Sequence, residues 1–290
     1  MRTCELGGTQ GILSASLATQ RPEQWSESSI MNVSRPAFDM TNPTTFDDWV
    51  PRDYLSEYFS DVNEDEQHVI RYFVEQMRSA APGEVLFFGC GPTLSQVFLT
   101  APHATKIVLA DYLPGNLAEI AAWRRGSEDA HDWRPFVRYT LLCETGVEPA
   151  DAEVSERIEA VRAKLEELVF ADAGLPDPLG LEHRGRFATV ISAFCADSAT
   201  GDKRVWERYS RNIATLVRPG GLLLTAALRR CLRYRVGERY FASADVDESD
   251  LRQVLLKDFV PDTIQVNCTT VSQHQEQGYS GILLSRARRA

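Results

Sequence analysis

Four short apolar runs recur along the chain, EVLFFG (84–89), KIVLAD (106–111), FATVISAF (187–194) and GLLLTAAL (221–228), with helix-patterned segments between them. Each is too short for a buried helix and lacks the polar alternation of a half-exposed strand, so each reads as a strand covered on both faces. PGNLAEIAAWRRG reads as a helix ending at Gly126, and VWERYSRNIATLVRPGG as a helix closed by Pro219 and two glycines. SQVFLTA, the charged run DAEVSERIEAVRAKLEELVF and ESDLRQVLLKDF add further helices, FVRYTLLCE reads as a third strand, and DTIQVNCTTV and YSGILLSRA are two closing strands. Alternation with short connections and no internal repeat predicts one α/β domain, a mostly parallel sheet with helices on both faces. Such sheets bind ligands beyond the carboxyl ends of their strands, near the switch in strand order. That rule directs attention to the loops after residues 88, 110 and 193.

Upstream, residues 1–45 are rich in Ser, Thr, Gln and Pro without an apolar period, and read as a flexible arm preceding a domain over 46–290. FDDWVPRDYLSEYF (46–59) concentrates aromatic residues, and NEDEQHVIRYFVEQMRSA spaces Val69, Ile70, Tyr72, Phe73 and Met77 as an amphipathic helix. Its acidic start suits a helix N-terminus. No stretch of about 18 apolar residues offers a membrane span, and the N-terminus lacks the regions of a secretory signal, so the expected setting is the cytoplasm, without a membrane partner. A net charge of -10 disfavours nucleic acid, and the terminal RARRA reads as a solvated tail. Six cysteines lie far apart with no C-x-x-C pair, which predicts reduced, mostly buried thiols and no metal.

The loop VLFFGCGPTLSQ resembles a nucleotide-binding turn with two departures. A dinucleotide fingerprint needs a third glycine, where this chain has Leu94, and a phosphate cradle needs backbone N–H donors, which Pro92 cannot supply. Asp111, 22 residues after Gly89 and at the end of the next strand, is placed to accept hydrogen bonds from both ribose hydroxyls of an adenosine. S-Adenosylmethionine carries a ribose and adenine but no pyrophosphate, and fits this loop better than a dinucleotide does. Cys90 and Cys195, lacking a base partner in the sequence, read as small buried packing residues.

The blocks PRDYLSEYF, GEVLFFGCGPTLSQ, ADYLPGNLAEIAAWRR, DWRPFVRY, ISAFCADSA, LVRPGGLLL and VGERYFAS follow one another in order. Together they resemble the small-molecule methyltransferase family of nicotinamide, phenylethanolamine and indolethylamine N-methyltransferases. The resemblance implies a Rossmann-like class I methyltransferase sandwich with a seven-stranded, mostly parallel sheet, an antiparallel C-terminal strand and an N-terminal helical cap. It implies S-adenosylmethionine as methyl donor, S-adenosylhomocysteine as product, a small-molecule acceptor and a monomer. By position it assigns Gly89, Gly91 and Thr93 to the methionine part of the cofactor. Asp111 falls to the ribose, Tyr112 and Asn116 to the adenosine, and Asp172 to the adenine amino group. Ala193 and Phe194 border cofactor and acceptor, and Tyr54 and Tyr58, four apart on one helical face, cover the site. Asp197 and Ser243 fall where family members shape the acceptor pocket.

Transfer from a sulfonium is an in-line displacement on an already activated methyl group, so positioning and desolvation supply much of the acceleration. The family places an acceptor-binding carboxylate after the fifth strand, where this chain has Ala226 and Ala227 followed by Arg229 and Arg230. Without that charge an ammonium loses its partner, which favours an uncharged acceptor: a heteroaromatic nitrogen, or an indole carbon in an acylated tryptamine. Tyr58, Tyr234 and Glu238 are the proton acceptors such chemistry would use. Two alternatives stay open: an amine N-methyltransferase in which another acid, Asp197 or Glu238, replaces the missing one, and a non-catalytic cofactor-binding protein.

Overall fold

The strand after residue 83 sits at the centre of the sheet because its side chains are apolar on both faces. In the computed structural model, which describes residues 46–271 and 278–290, β1 (Gly83–Phe88) sends Val85 and Phe87 into one core cluster and Leu86 and Phe88 into the other. It pairs in parallel with β2 (Ala104–Asp111) on one side and β4 (Phe187–Ala193) on the other. With β3 (Leu165–Phe170), β5 (Val217–Arg229), β8 (Gln265–Thr269) and β9 (Gly281–Arg288), the sheet has seven strands in the order β3-β2-β1-β4-β5-β9-β8. Only β9 runs antiparallel to its neighbours. The chain moves outward from β1 to β3 and then returns to β4. The order therefore reverses between β1 and β4, and a crevice opens beyond their carboxyl ends. The reading of residues 1–45 as a flexible arm lies outside the described residues.

One face is covered by α2 (Glu64–Met77), α3 (Pro114–Arg124), α4 (Arg134–Thr145) and α5 (Asp151–Lys164), and the other by α6 (Lys203–Ala214) and α7 (Glu248–Leu255). Phe73, Phe98 and Phe136 are fully buried on the first face, and each contributes roughly 1.5–3 kcal/mol of transfer free energy. A short helix, α1 (Pro51–Tyr58), and a separate hairpin, β6 (Arg233–Val236) with β7 (Arg239–Ala242), lie at the crevice end. Glu57 holds the two together, accepting from the Arg235 guanidinium at 3.0 Å and from the Gly237 N–H at 2.8 Å. No helix among the described residues is long and apolar enough to cross a membrane.

Four local readings of the sequence are corrected. FVRYTLLCE is the body of α4, not a strand: Pro135 sits in its first turn, Gly146 caps its end at φ 74°, and Phe136, Val137, Thr140 and Leu141 form one buried helical stripe. The third strand is instead LEELVF, which breaks from the charged helix at Leu165. As an edge strand it buries little and needs no apolar run. SQVFLTA is a turn closed by a single 3-10 turn at Phe98–Thr100, and α6 stops at Ala214, leaving Pro219 and its glycines to an irregular start of β5.

Gly89 follows β1 at φ 66°, and a Cβ there would stand 2.5 Å from the Cβ of Cys195 on the loop after β4. The two crevice loops can approach only because residue 89 has no side chain. Gly89→Ala is expected to cost about 2–4 kcal/mol, left-handed strain plus overpacking, and Cys195→Gly in the same chain should recover part of that loss. Urea unfolding of the single and double variants checks this, and wild-type stability in G89A contradicts it.

Candidate functional site

Asp111 ends β2 facing the loop after β1. Its Oδ2 accepts from the Gly91 N–H at 2.7 Å, and its Oδ1 accepts from the Leu113 N–H at 2.8 Å and Asn116 Nδ2 at 2.9 Å. Burial pushes its carboxyl up from the ordinary range, and these N–H donors oppose the shift. Gly91, at φ 59°, has only Thr93 and Tyr54 atoms within reach of a notional Cβ, at 3.8 and 4.0 Å, so its backbone faces open space. The Thr93 hydroxyl donates to the Cys90 carbonyl at 3.0 Å, bracing the loop from within. Cys90 and Cys195 are half-buried, not buried as the sequence suggests; of the described cysteines Cys231 alone is buried and Cys268 is exposed. Desolvation of the thiols, with Asp111 and Asp197 nearby, still pushes Cys195 up to about 12. Both pack as neutral groups.

The crevice encloses a cavity of about 580 Å3, within the range typical of small-molecule sites. Of the residues singled out in the sequence, Tyr54, Tyr58, Gly89, Gly91, Thr93, Asp111, Tyr112, Asn116, Asp172, Ala193, Phe194 and Tyr234 all line it. Tyr112, 55% exposed, leans on Phe170 at the mouth with ring centroids 5.4 Å apart. Asp172 Oδ1 accepts from the Gly174 N–H at 2.7 Å. Phe194 is held at φ 52°, a conformation costly for a bulky residue, with its N–H donating to Ala226 O at 2.8 Å.

An aromatic roof closes the cavity. Trp49 lies 4.9 Å from Tyr54, Tyr54 lies 5.1 Å from Tyr58, and Trp49 and Tyr234 meet Phe241 of the hairpin at 5.3 and 5.6 Å. Trp49 Nε1 donates to Asn116 Oδ1 at 2.8 Å, so the roof is tied through Asn116 to Asp111 itself. The Tyr58 hydroxyl donates to Arg235 O at 2.7 Å, and the Tyr234 hydroxyl to Ser198 O at 3.1 Å.

The cavity wall also holds two acids that sequence reasoning did not select, Asp65 and Glu66 in the first turn of α2. First-turn acids are ordinarily solvated, yet these are 8% and 3% exposed. The Tyr279 hydroxyl donates to Asp65 Oδ2 at 2.6 Å, and Gln96 Nε2 donates to both Glu66 oxygens at 3.0 Å. Burial pushes Glu66 up to about 7, opposed by the Gln96 bond. Three other selected residues lie outside this lining. Glu238 is at the exposed turn of the hairpin, Ser243 is buried behind it, and Asp197 borders a separate void of about 40 Å3. Asp197 Oδ2 accepts from the Leu228 N–H at 2.9 Å and so fixes the end of β5. Ala226 and Ala227 border that smaller void too, and the β5 residue that reaches the main cavity is Leu228.

The model of the family described as NNMT/PNMT/TEMT matches residues 39–289. The chain is 27% identical to the indolethylamine N-methyltransferase of Oryctolagus cuniculus over 216 residues, covering 72% of this chain and 81% of that protein. It is 28% identical to the nicotinamide N-methyltransferase of Homo sapiens over 201 residues, 67% of this chain and 75% of that protein. Among solved structures, magnesium protoporphyrin IX methyltransferase from Synechocystis PCC 6803 with bound S-adenosylmethionine shares the fold at a TM-score of 0.50 and 13% identity, over 84% of this chain and 93% of that one.

Burial pushes the Asp197 carboxyl up to about 6 against its bonds from Leu228 and Ser198. A raised folded-state value means that protonation favours the fold, an advantage complete below the unfolded value of about 3.9 and lost as pH rises through about 6. Asp197→Asn keeps an oxygen for the Leu228 N–H and removes the buried charge. It is expected to be more stable than wild type at pH 7.5 by on the order of 1–3 kcal/mol, with a flatter Tm between pH 4.5 and 7. Thermal unfolding across that range checks this, and an unchanged pH slope in D197N contradicts it.

Proposed function

The chain belongs to the NNMT/PNMT/TEMT family and is an S-adenosylmethionine-dependent small-molecule methyltransferase; on that premise we propose that it methylates the nitrogen of a small, ring-bearing amine. The observation that carries this reading is that Asp65 and Glu66 line the same cavity as Asp111 and the aromatic roof. In the sequence, Ala226 and Ala227 favour an uncharged acceptor. In the fold, negative charge returns to the cavity from α2 rather than from β5, and the ammonium regains a partner.

The bound cofactor supplies an activated methyl group on a sulfonium; the chain holds and orients. Asp111 retains acceptor capacity for the ribose hydroxyls beyond its bonds to Gly91, Leu113 and Asn116. Asp172 is suited to an adenine amino group, Tyr112 and Phe170 to the flank of the adenine, and the Gly89–Gly91 backbone to the methionine end. Trp49, Tyr54 and Tyr58 present ring faces to two positive charges, the sulfonium and the acceptor's ammonium, and exclude water from the transfer path. Tyr54 and Tyr234 are pushed up by burial and by acidic neighbours, and so act as neutral donors and walls, not as bases.

Incubation with methyl-labelled S-adenosylmethionine and indolethylamine, phenylethanolamine, nicotinamide and N-acetylindolethylamine, read by mass spectrometry, tests the acceptor. Label is expected on the nitrogen of the free amines, with kcat/KM at least about tenfold above the acylated compound, which has lost its charge. Label on the indole carbon of the acylated compound overturns the reading.

A further inference from the structure

We propose that Glu66 receives the acceptor's ammonium and takes its proton before methyl transfer, while Gln96 positions the carboxylate and Asp65 stays a fixed charge beside it. The inference rests on the amine-acceptor reading above.

A buried carboxylate ordinarily has a cation beside it, because desolvation without a partner is costly. Among the described residues no lysine, arginine or histidine pairs with Glu66; its side-chain partners are neutral, the Gln96 amide at both oxygens and the adjacent Ser95 hydroxyl. One nitrogen shared between two oxygens leaves acceptor capacity on each, enough for an ammonium's N–H groups. The helix N-terminus adds some compensation, with the Glu66 N–H itself donating to Asn63 Oδ1 at 3.0 Å. Asp65 differs, because the Tyr279 hydroxyl already engages it at 2.6 Å and ties α2 to the segment before β9. It therefore serves structure and field, and its charge raises Glu66's affinity for a proton.

Position supports the same assignment. Gln96 lies five residues after Gly91 on the segment that leaves β1, so the loop assigned to the cofactor's methionine end also aims the acceptor's carboxylate. The titratable groups beside Glu66 are Asp65 on its own helix and Tyr54 from α1; Tyr54 also neighbours Asp111 and Asp197, and Tyr279, ahead of β9, meets Asp65. Burial lifts both phenols out of the working range. Asp197, pushed up to about 6, does not line the cavity. Glu66, lining the cavity and pushed up to about 7, is a group able to take and release a proton near neutral pH.

The step balances as follows: an ammonium proton passes to the Glu66 carboxylate, giving a neutral amine and a carboxylic acid. The nitrogen lone pair forms the N–C bond as the C–S bond breaks and its electron pair returns to sulfur, leaving a neutral thioether and a methylated ammonium. The proton on Glu66 then leaves to solvent with the product.

The test is kcat/KM against pH for phenylethanolamine, an ammonium at neutral pH, and for nicotinamide, uncharged, with wild type, E66Q, E66D and Q96A. Retention of the S-adenosylhomocysteine-induced Tm shift shows that each variant keeps its cofactor site. Wild type should show a limb on phenylethanolamine that rises through about pH 7. E66Q should lose that limb and fall about 100-fold on the amine, with nicotinamide changing less than about threefold; E66D should restore the limb. Q96A, which removes a donor favouring the ionised form, should move the limb to higher pH. A limb retained in E66Q, one unmoved in Q96A, equal losses on both acceptors, or a wild type active on nicotinamide alone overturns the role of Glu66. A wild type that methylates neither compound, nor any amine of the panel, overturns the amine-acceptor reading with it.

Discussion

The carboxylate of Asp111 is the contact on which the rest of the site depends. It draws the Gly91 N–H from the loop after β1 and the Leu113 N–H and Asn116 amide from the start of α3 onto one buried group. Asn116 passes the constraint on to Trp49, and Trp49 to the tyrosines of α1. A buried charge held by N–H donors rather than by a cation is an acceptor for further donors, which suits a ribose. The same group therefore sets the backbone of the loop, the floor of the cavity and the seat of its roof.

The second constraint is the close approach of the loops after β1 and β4, allowed by Gly89 and locked by Cys195 and the left-handed Phe194. Behind it, Asp197 spends its carboxylate on the end of β5, so that Leu228 can present an apolar side chain to the cavity. Negative charge thus lines one space from two elements, Asp111 at the carboxyl end of β2 and Asp65 with Glu66 at the start of α2. On the amine-acceptor reading proposed above, a sulfonium and an ammonium share that space beneath the aromatic roof.

How much of this was legible in the sequence follows from how each residue is buried. β1, β4 and β5 announce themselves because double-sided burial demands unbroken apolar runs, whereas β3, at the sheet edge, hides inside a charged segment. α4 carries strand-forming residues, and only the spacing of Phe136 with Thr140 and of Val137 with Leu141 marks it as a helix. That the glycine loop and Asp111 would meet at one cavity was readable, since two glycines and an acid at strand ends have few other uses together. The place of Asp65 and Glu66 in that cavity was not. Acids at a helix start are explained locally by the dipole, and nothing in the spacing of Asp65 and Glu66 reveals that the roof and Tyr279 close over them. Glu238, Ser243 and Asp197 match by position in the chain, yet a hairpin turn, a buried back face and a strand anchor keep them from the lining.

The most direct measurement is calorimetric titration of S-adenosylhomocysteine into wild type and Asp111→Asn at one pH and salt concentration. An amide keeps one oxygen and turns a donor toward either Gly91 or the Leu113 and Asn116 pair, so the loop loses its anchor and the ribose its partner. Binding weaker by at least about 10-fold, or 1.4 kcal/mol, in a variant that still unfolds cooperatively is the expected result. Equal affinity in the two proteins would contradict the account, because it would place the cofactor somewhere other than at Asp111.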